Sequence, residues 1–268
     1  MNGKGPAVVA VTGAAGYIGT RLLHELETEE DLAKVVAIDT KPLPVPFHHV
    51  SLERMDITHP LDDLLKENRV DTVVHLAFIL KPGRGRRESE AVRLTNLKGL
   101  QRVLSACVSA KVRNLIYLSS HTIYGAHPDN ALPMTEVAEL RPSQGFQYSR
   151  DKSMGEGLVQ LFAVENPGTN VTVLRSCVVM GPGADNYVTR AIFKPVLLGI
   201  MGSDPPLQFV HEDDLANLLR VLIKEPHPGT YNVAADGVVH YTELARLANR
   251  KLVFLPPFMA YPLTQMAW

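Results

Sequence analysis

Short apolar runs alternate with longer amphipathic segments along most of the chain, and this alternation limits the possible folds more than any other feature. The first run, Ala7–Val11, contains no polar residue, as expected of a strand that is buried on both faces. Similar runs begin near residues 35, 50, 72, 115 and 171, and helical patterns lie between most of them. Strands that alternate with helices form parallel βαβ units, so the sequence predicts an α/β fold with a doubly wound parallel sheet.

Composition and charge narrow the function classes. The 268 residues are 46% hydrophobic and 21% charged, which is typical of a folded chain, and 27 basic side chains nearly balance 28 acidic ones. We therefore expect no nucleic-acid partner. The two cysteines, Cys107 and Cys177, are far apart, so neither a disulfide framework nor a zinc cluster is predicted. No apolar run is long enough for a membrane span or a signal peptide, and we expect a cytoplasmic protein.

A glycine-rich turn joins the first strand to the first predicted helix. Its sequence is Thr12-Gly13-Ala14-Ala15-Gly16-Tyr17-Ile18-Gly19. Glycine permits a positive φ and lets the main chain approach a pyrophosphate, and the helix N-terminus offers N–H groups and a partial positive charge to the phosphates. Because strand, turn and helix occur in this order, we predict a dinucleotide site of the Rossmann type. The alternative is a glycine turn that binds no ligand.

Asp39 stands twenty positions after Gly19, where the second predicted strand ends. A carboxylate at this place accepts hydrogen bonds from the adenosine ribose hydroxyls and repels a 2′-phosphate. Lys41 follows two positions later and would partly offset the repulsion. We therefore expect NAD rather than NADP, with an ordinary strand-end residue as the alternative role of Asp39.

With the glycine spacing Gly-x-x-Gly-x-x-Gly, the sequence resembles the extended short-chain dehydrogenase/reductase family, in its NAD-dependent epimerase/dehydratase group. The resemblance covers nearly the whole chain. The segments that carry it further are Asp56-Ile57, His75-Leu76-Ala77, Asn96, Tyr124-Gly125, Tyr148-x-x-x-Lys152, Gly181-Pro182, Phe209–Ala216 and Gly229–Gly237. It implies a bound NAD with contacts from Gly13, Ala15, Gly16, Tyr17, Ile18, Asp39, Asp56, Ile57, Leu76, Ala77, Asn96, Tyr148 and Lys152.

The proposed catalytic residues follow the fifth predicted strand. Tyr148 and Lys152 are four positions apart on a predicted helix, so they share one face. A lysine ammonium beside a tyrosine favours its phenolate form, and Tyr148 could then exchange a proton with a substrate. The family pattern Ser-Ser-x-x-x-Tyr-Gly implies Ser120 as the catalytic serine and Thr122 as a substrate contact. The alternative for Tyr148 and Lys152 is an exposed pair without a role.

The substrate class stays open. The family's best-known substrates are nucleotide sugars, but Val178 stands where such enzymes commonly have Asn, and Leu207 stands where they have Arg. Loss of an amide and a guanidinium removes hydrogen bonds that hold a phosphate. His121 and Thr122 occupy the positions of two dehydratase carboxylates, which argues against sugar 4,6-dehydration. The candidates are a sugar or nucleotide-sugar epimerase, a dehydrogenase of a small alcohol, and a non-catalytic NAD redox sensor.

The chain is expected to divide into a Rossmann domain over residues 1–180 and a smaller substrate-binding lobe over residues 181–268. The chain ends several tens of residues before most family members, so part of this lobe is expected to be reduced. Its predicted elements are helices near Val188–Gly199, Glu212–Ile223 and Tyr241–Ala248 and a strand near Thr230–Val233. The long apolar helices near Ser89–Ala110 and Gln147–Val164 predict a homodimer. No histidine has metal-ligand spacing, so no metal is expected.

Overall fold

A parallel sheet forms the centre of the computed structural model, which describes residues 7–80, 85–184 and 187–260. The strands are β1 (Ala7–Thr12), β2 (Leu32–Asp39), β3 (Val50–Arg54), β4 (Thr72–His75), β5 (Asn114–Ser120), β6 (Asn170–Ser176), β7 (Val178–Met180), β8 (Val196–Ile200), β9 (Pro206–Leu207), β10 (Phe209–His211), β11 (Gly229–Val233), β12 (Val239–His240) and β13 (Lys251–Leu255). The helices are α1 (Tyr17–Leu26), α2 (Asp62–Glu67), α3 (Arg86–Ala110), α4 (Gln147–Glu165), α5 (Tyr187–Ile192), α6 (Glu212–Lys224) and α7 (Tyr241–Leu247), and a 3₁₀ turn covers His121–Tyr124.

The strand order of the central sheet places a ligand site at one edge. The order is β11-β6-β5-β4-β1-β2-β3, and all neighbouring strands are parallel. The chain runs outward from β1 to β3 and then crosses to β4 on the other side of β1. This reversal is a topological switch point, where open α/β sheets bind ligands beyond the carboxyl ends of their strands. The predicted doubly wound parallel sheet is confirmed.

Apolar spacing explains how the helices cover the sheet. Helix α1 buries Gly19, Leu22, Leu23 and Leu26, which recur at the three- and four-residue steps of one helix face. Apolar side chains of α2, α3 and α4 pack together with side chains of the sheet in one continuous core. Burial of these apolar side chains stabilises the sheet at about 25 cal/mol per Å² removed from water.

The chain divides into two compact units, and the division differs from the predicted one. The first unit contains the residues up to Cys177 together with Asp213–Val233, and the second contains Val178–Glu212 and the residues from Ala234 onward. Strand β11 pairs in parallel with β6 at the sheet edge, so a segment predicted for the second lobe belongs to the first unit. A boundary between residues 180 and 181 therefore does not describe the fold.

One predicted helix is wrong in its second half. Helix α5 ends at Ile192, and the residues predicted to continue it form strand β8, which pairs with β13. Pro195 explains the difference, because proline lacks an N–H donor and disfavours helical geometry at the preceding residue. Within the described ranges, no helix combines the length and the hydropathy that crossing a bilayer requires.

Candidate functional site

The glycine turn brings the ends of β1 and β4 into close contact. Gly13 has a φ of +73°, and a Cβ atom there would lie 2.6 Å from the main-chain nitrogen of Ala77. A Cβ at Gly19 would lie 2.2 Å from the main-chain oxygen of Gly13, so α1 can approach the turn only with glycine at this position. Gly16 is the N-cap of α1 and places no side chain at the helix N-terminus. The turn is tightly packed and leaves the N-terminus of α1 free of a side chain at Gly16, which suits a pyrophosphate.

Asp39 closes β2 and faces the same turn. One carboxylate oxygen accepts a hydrogen bond from the main-chain N–H of Ala15 at 3.0 Å, and the other accepts from the main-chain N–H of Lys41 at 2.9 Å. Asp56 follows β3 and accepts from the N–H of Thr58 at 2.8 Å, which lowers the pKa of its carboxyl group. The Ile57 side chain packs against helix α3, where a Cβ at Gly99 would lie 2.7 Å from its Cδ1.

The residues after β4 line the other side of the turn. The N–H of Leu76 donates to Thr12 O at 3.1 Å, and the N–H of Ala77 donates to the Thr12 hydroxyl at 3.4 Å. His75 is buried and lies 2.8 Å from the same hydroxyl, and burial lowers its pKa to about 3. Asn96, on α3, contacts Ile79 with both side-chain atoms: its oxygen accepts from Ile79 N at 2.8 Å, and its amide nitrogen donates to Ile79 O at 3.3 Å.

Ser120 ends β5 at the same sheet edge. Its hydroxyl oxygen accepts hydrogen bonds from the main-chain N–H and the hydroxyl of Thr122, at 3.3 and 3.0 Å. The Thr122 carbonyl in turn accepts from the hydroxyl of Ser149, at the start of α4, at 2.6 Å. Thr122, predicted as a substrate contact, therefore orients Ser120 in this structure. His121 lies 3.1 Å from Ser176 O, and burial lowers its pKa.

Tyr148 and Lys152 meet on a shared aromatic neighbour, Phe78. The Tyr148 ring meets the Phe78 ring edge-on, with centroids 5.4 Å apart and an interplanar angle of 87°. The ammonium of Lys152 lies 4.3 Å from the centroid of the same ring and donates to Leu118 O at 2.7 Å. Burial lowers the pKa of Lys152 to about 7 against the opposing effect of Glu156.

The sequence analysis did not predict a buried polar network beside β5. Glu156, on α4, accepts from the Ser119 hydroxyl at 2.6 Å and from two Arg175 nitrogens at 3.0 and 2.6 Å. Arg175, on β6, also donates to the Tyr124 hydroxyl at 2.7 Å, and Tyr124 donates to Asn232 on β11 at 2.7 Å. An arginine inside the apolar run of β6 and a glutamate one turn after Lys152 were the available signals.

The two positions where the usual phosphate-binding side chains are replaced, Val178 and Leu207, belong to the second compact unit. Val178 opens β7, and Leu207 lies in β9, paired with Val239. Neither carries a group that could bind a phosphate through charge or an amide. Over the part of the chain that the structure describes, no group of three His, Cys, Asp or Glu side chains could hold a metal ion.

Comparisons with known proteins identify the family of the chain and similar folds. Residues 9–234 match the model of the NAD dependent epimerase/dehydratase family. An uncharacterized protein of Mycobacterium tuberculosis is 30% identical over 269 residues, which span 97% of this chain and 71% of that protein. UDP-glucose 4-epimerase of Dictyostelium discoideum is 27% identical over 246 residues, 78% of this chain and 69% of that protein. The structure of MoeE5 in complex with UDP-glucuronic acid and NAD is similar with a TM-score of 0.76 and 29% identity, covering 93% and 86% of the two chains.

Proposed function

Because the chain belongs to the NAD-dependent epimerase/dehydratase family, we propose that it binds NAD and catalyses hydride transfer to or from a carbon that bears a hydroxyl or carbonyl group, with Tyr148 as general acid and base. The observation that carries this proposal is a continuous set of contacts from the glycine turn to the catalytic pair. Gly13 packs against Ala77, and the next residue, Phe78, touches both Tyr148 and Lys152. The cofactor turn and the proton-transfer group therefore share one edge of the sheet.

The residues that would hold NAD follow this edge. Gly13, Ala15, Gly16, Tyr17 and Ile18 would bind the pyrophosphate at the N-terminus of α1, and Asp39, Asp56 and Ile57 would contact the adenosine half. Leu76, Ala77, Asn96, Tyr148 and Lys152 would face the nicotinamide half. The tight glycine turn fits this cofactor, because a Cβ at Gly13 or Gly19 would clash with neighbouring main-chain atoms and force the turn out of the shape that suits a pyrophosphate. When bound, NAD supplies the acceptor or donor of the hydride.

The protein's own residues would move the proton. The Lys152 ammonium favours the phenolate of Tyr148, which takes the proton of a substrate hydroxyl, and the reverse step returns it to a carbonyl oxygen. Both hydrogen bonds from Thr122 use lone pairs of Ser120, so the Ser120 proton can be donated to the substrate oxygen. This bond would hold the reacting oxygen as its charge changes.

The substrate class that we propose is a sugar, a nucleotide sugar or a small secondary alcohol. Two similar proteins support a sugar or nucleotide-sugar substrate: a UDP-glucose 4-epimerase, and MoeE5 crystallised with UDP-glucuronic acid. Val178 and Leu207 support a small alcohol as substrate, because their apolar side chains cannot bind a phosphate as an amide or a guanidinium does. A screen of these compounds with NAD identifies the substrate class. NADH absorbance and product stereochemistry then distinguish an epimerase from a dehydrogenase. An epimerase returns its hydride, whereas a dehydrogenase accumulates NADH.

Cofactor preference gives a direct test of Asp39. We expect NAD to bind at least about tenfold more tightly than NADP, because the carboxylate would face a 2′-phosphate. In Asp39→Asn this preference should shrink, whereas Asp31→Asn, which changes an exposed carboxylate that pairs with Lys224, should leave it unchanged. Calorimetric titration with both cofactors measures the ratio. Equal or tighter binding of NADP by the unaltered protein would refute the role of Asp39.

Exposed apolar side chains on α3 and α4 support a two-fold dimer. These helices pack together in the first unit. The exposed residues are Leu94, Val108, Met154, Leu161 and Val164. We propose that a second copy covers them, which predicts a particle of twice the 29.5 kDa chain mass in light scattering at micromolar concentration.

The variant Leu161→Glu/Val164→Glu should shift the protein to the monomer, because it places charges on the proposed interface. Leu132→Glu/Val137→Glu, which alters apolar residues elsewhere that are even more exposed, should leave the mass unchanged. A monomeric unaltered protein contradicts the dimer.

A further inference from the structure

Phe78 lies at the meeting point of the proposed catalytic groups. Its ring centroid is 4.3 Å from the Lys152 ammonium and 5.4 Å from the centroid of the Tyr148 ring. The Tyr117 ring lies on β5 with its centroid 5.3 Å from the same ammonium. In the described part of the chain, Phe78 and Tyr117 are the two aromatic rings over Lys152. An ammonium at such distances is attracted to the electron-rich ring face.

The ammonium has few other groups to replace its lost water. Lys152 is 6% exposed, and its nitrogen donates to the main-chain oxygen of Leu118 at 2.7 Å. The charged or titratable groups that interact with it are Glu156 on α4, His75 on β4 and Tyr117 on β5, and Tyr148 shares its neighbour Phe78. Burial keeps the pKa of His75 well below its usual value, and Glu156 is hydrogen-bonded to Arg175. Across the described ranges, no ion pair includes Lys152.

We propose that Phe78 is a positioning residue for the catalytic pair, whose ring face stabilises the Lys152 ammonium and whose edge contact orients the Tyr148 ring. The inference rests on the proposed function, in which the charge of Lys152 activates Tyr148. It explains why a bulky aromatic residue directly follows the close contact of Ala77 with the glycine turn. A leucine of similar volume would fill the space but would offer no π face to the ammonium.

Asn96 holds Phe78 in place. Its side chain makes two hydrogen bonds with the main chain of Ile79, the residue after Phe78, which fixes the direction of this loop against α3. The side chain of Asn96 therefore acts on the catalytic pair through Phe78. Asn96→Ala should release the ring and reproduce part of the effect of removing it.

Titration of Lys152 in the purified protein tests this directly. Lysine labelled with ¹³C at Cε is incorporated, and the Lys152 signal is assigned by its loss in Lys152→Arg. In Phe78→Leu, the pKa of Lys152 should fall by about 0.5–1 unit, which is a three- to tenfold change in the proton affinity of the amine. Phe78→Tyr should restore the unaltered titration, because it keeps the ring face.

Phe146→Leu is the matched control. The Phe146 ring also packs on Tyr148, with centroids 5.6 Å apart, but it is not one of the rings over Lys152. This variant should leave the Lys152 titration unchanged. A Lys152 pKa in Phe78→Leu that is unchanged or raised overturns the proposal, and so does a shift of the same size in Phe146→Leu.

The kinetic readout separates this inference from the proposed function. With an active substrate, Phe78→Leu should lose activity on the alkaline side at a lower pH than the unaltered protein, because the ammonium is lost earlier. The NMR titration needs no substrate. If every compound in the screen is inactive while the Lys152 shift is present, the proposed function is wrong and the stabilisation of Lys152 by Phe78 holds.

Discussion

Tyr148→Phe should retain the fold and NAD binding and lose turnover by about 10²–10⁴-fold, the contribution that general acid–base catalysis typically makes. The substitution removes the hydroxyl and keeps the ring, so the edge contact with Phe78 at 5.4 Å is preserved. The loss should appear in kcat, because the proton moves only as the reaction proceeds. Steady-state kinetics on a substrate from the screen, together with calorimetric NAD titration, measures the two effects separately.

Companion variants separate the roles of the neighbouring groups. Ser120→Ala should lose at most about 10²–10³-fold, the effect of one hydrogen-bond donor to a charged oxygen. Lys152→Met should lower both turnover and NAD affinity, because we assign it to both. Tyr231→Phe removes an exposed hydroxyl from β11, the outermost strand of the sheet, and should change neither turnover nor NAD affinity. A Tyr148→Phe variant with near-full activity would falsify the mechanism.

The sequence predicted the sheet and the turn because both depend on local patterns. A buried parallel strand needs a continuous apolar run such as Ala7–Val11, and the glycine spacing follows from the contact between Gly13 and Ala77. The carboxyl-edge positions of Asp39 and Ser120 then follow from the strand ends. Each of these features can be recognised in a short stretch of sequence, even where, as at Gly13, the contact that requires it comes from a distant residue.

The remaining features depend on contacts between distant segments. No periodicity shows that β11 pairs with β6, so the segment Asp213–Val233 was placed in the wrong unit. The ring of Phe78 is similarly brought to Lys152 by packing between separate elements, since 74 positions separate them in the chain. Asn96 lies 17 positions from its partner Ile79, and Ser149 lies 27 positions from its partner Thr122, so the packing of separate elements decides these hydrogen bonds as well.

The hydrogen-bond network around Glu156 is likewise a feature that local sequence patterns do not reveal, and its disruption has the largest expected effect on stability. Glu156 is 1% exposed and Arg175 6%, and the two form an ion pair with a shortest distance of 2.6 Å. Burial of charges is costly, so the pair is held by further bonds from Arg175 to the Tyr124 hydroxyl and to Glu136 O. These bonds connect α4, which carries Tyr148 and Lys152, to strand β6 and the segment after β5.

Arg175→Met should lower the free energy of unfolding by about 3–5 kcal/mol, because it leaves the Glu156 carboxylate buried without its cation. Urea unfolding followed by circular dichroism measures the loss. Arg246→Met breaks an exposed ion pair with Glu243 and should leave the unfolding curve unchanged, since solvent screens such pairs.

The double variant Arg175→Met/Glu156→Gln decides whether the charge itself is responsible. The change of Glu156 to glutamine keeps the shape of the side chain and removes the uncompensated negative charge, so the double variant should be more stable than Arg175→Met alone. If both variants are destabilised equally, the loss comes from packing and from the hydrogen bonds to Tyr124 and Glu136, and the ion pair adds nothing. Recovery of stability without recovery of turnover would show that the pair also holds α4 in the geometry that Tyr148 and Lys152 require.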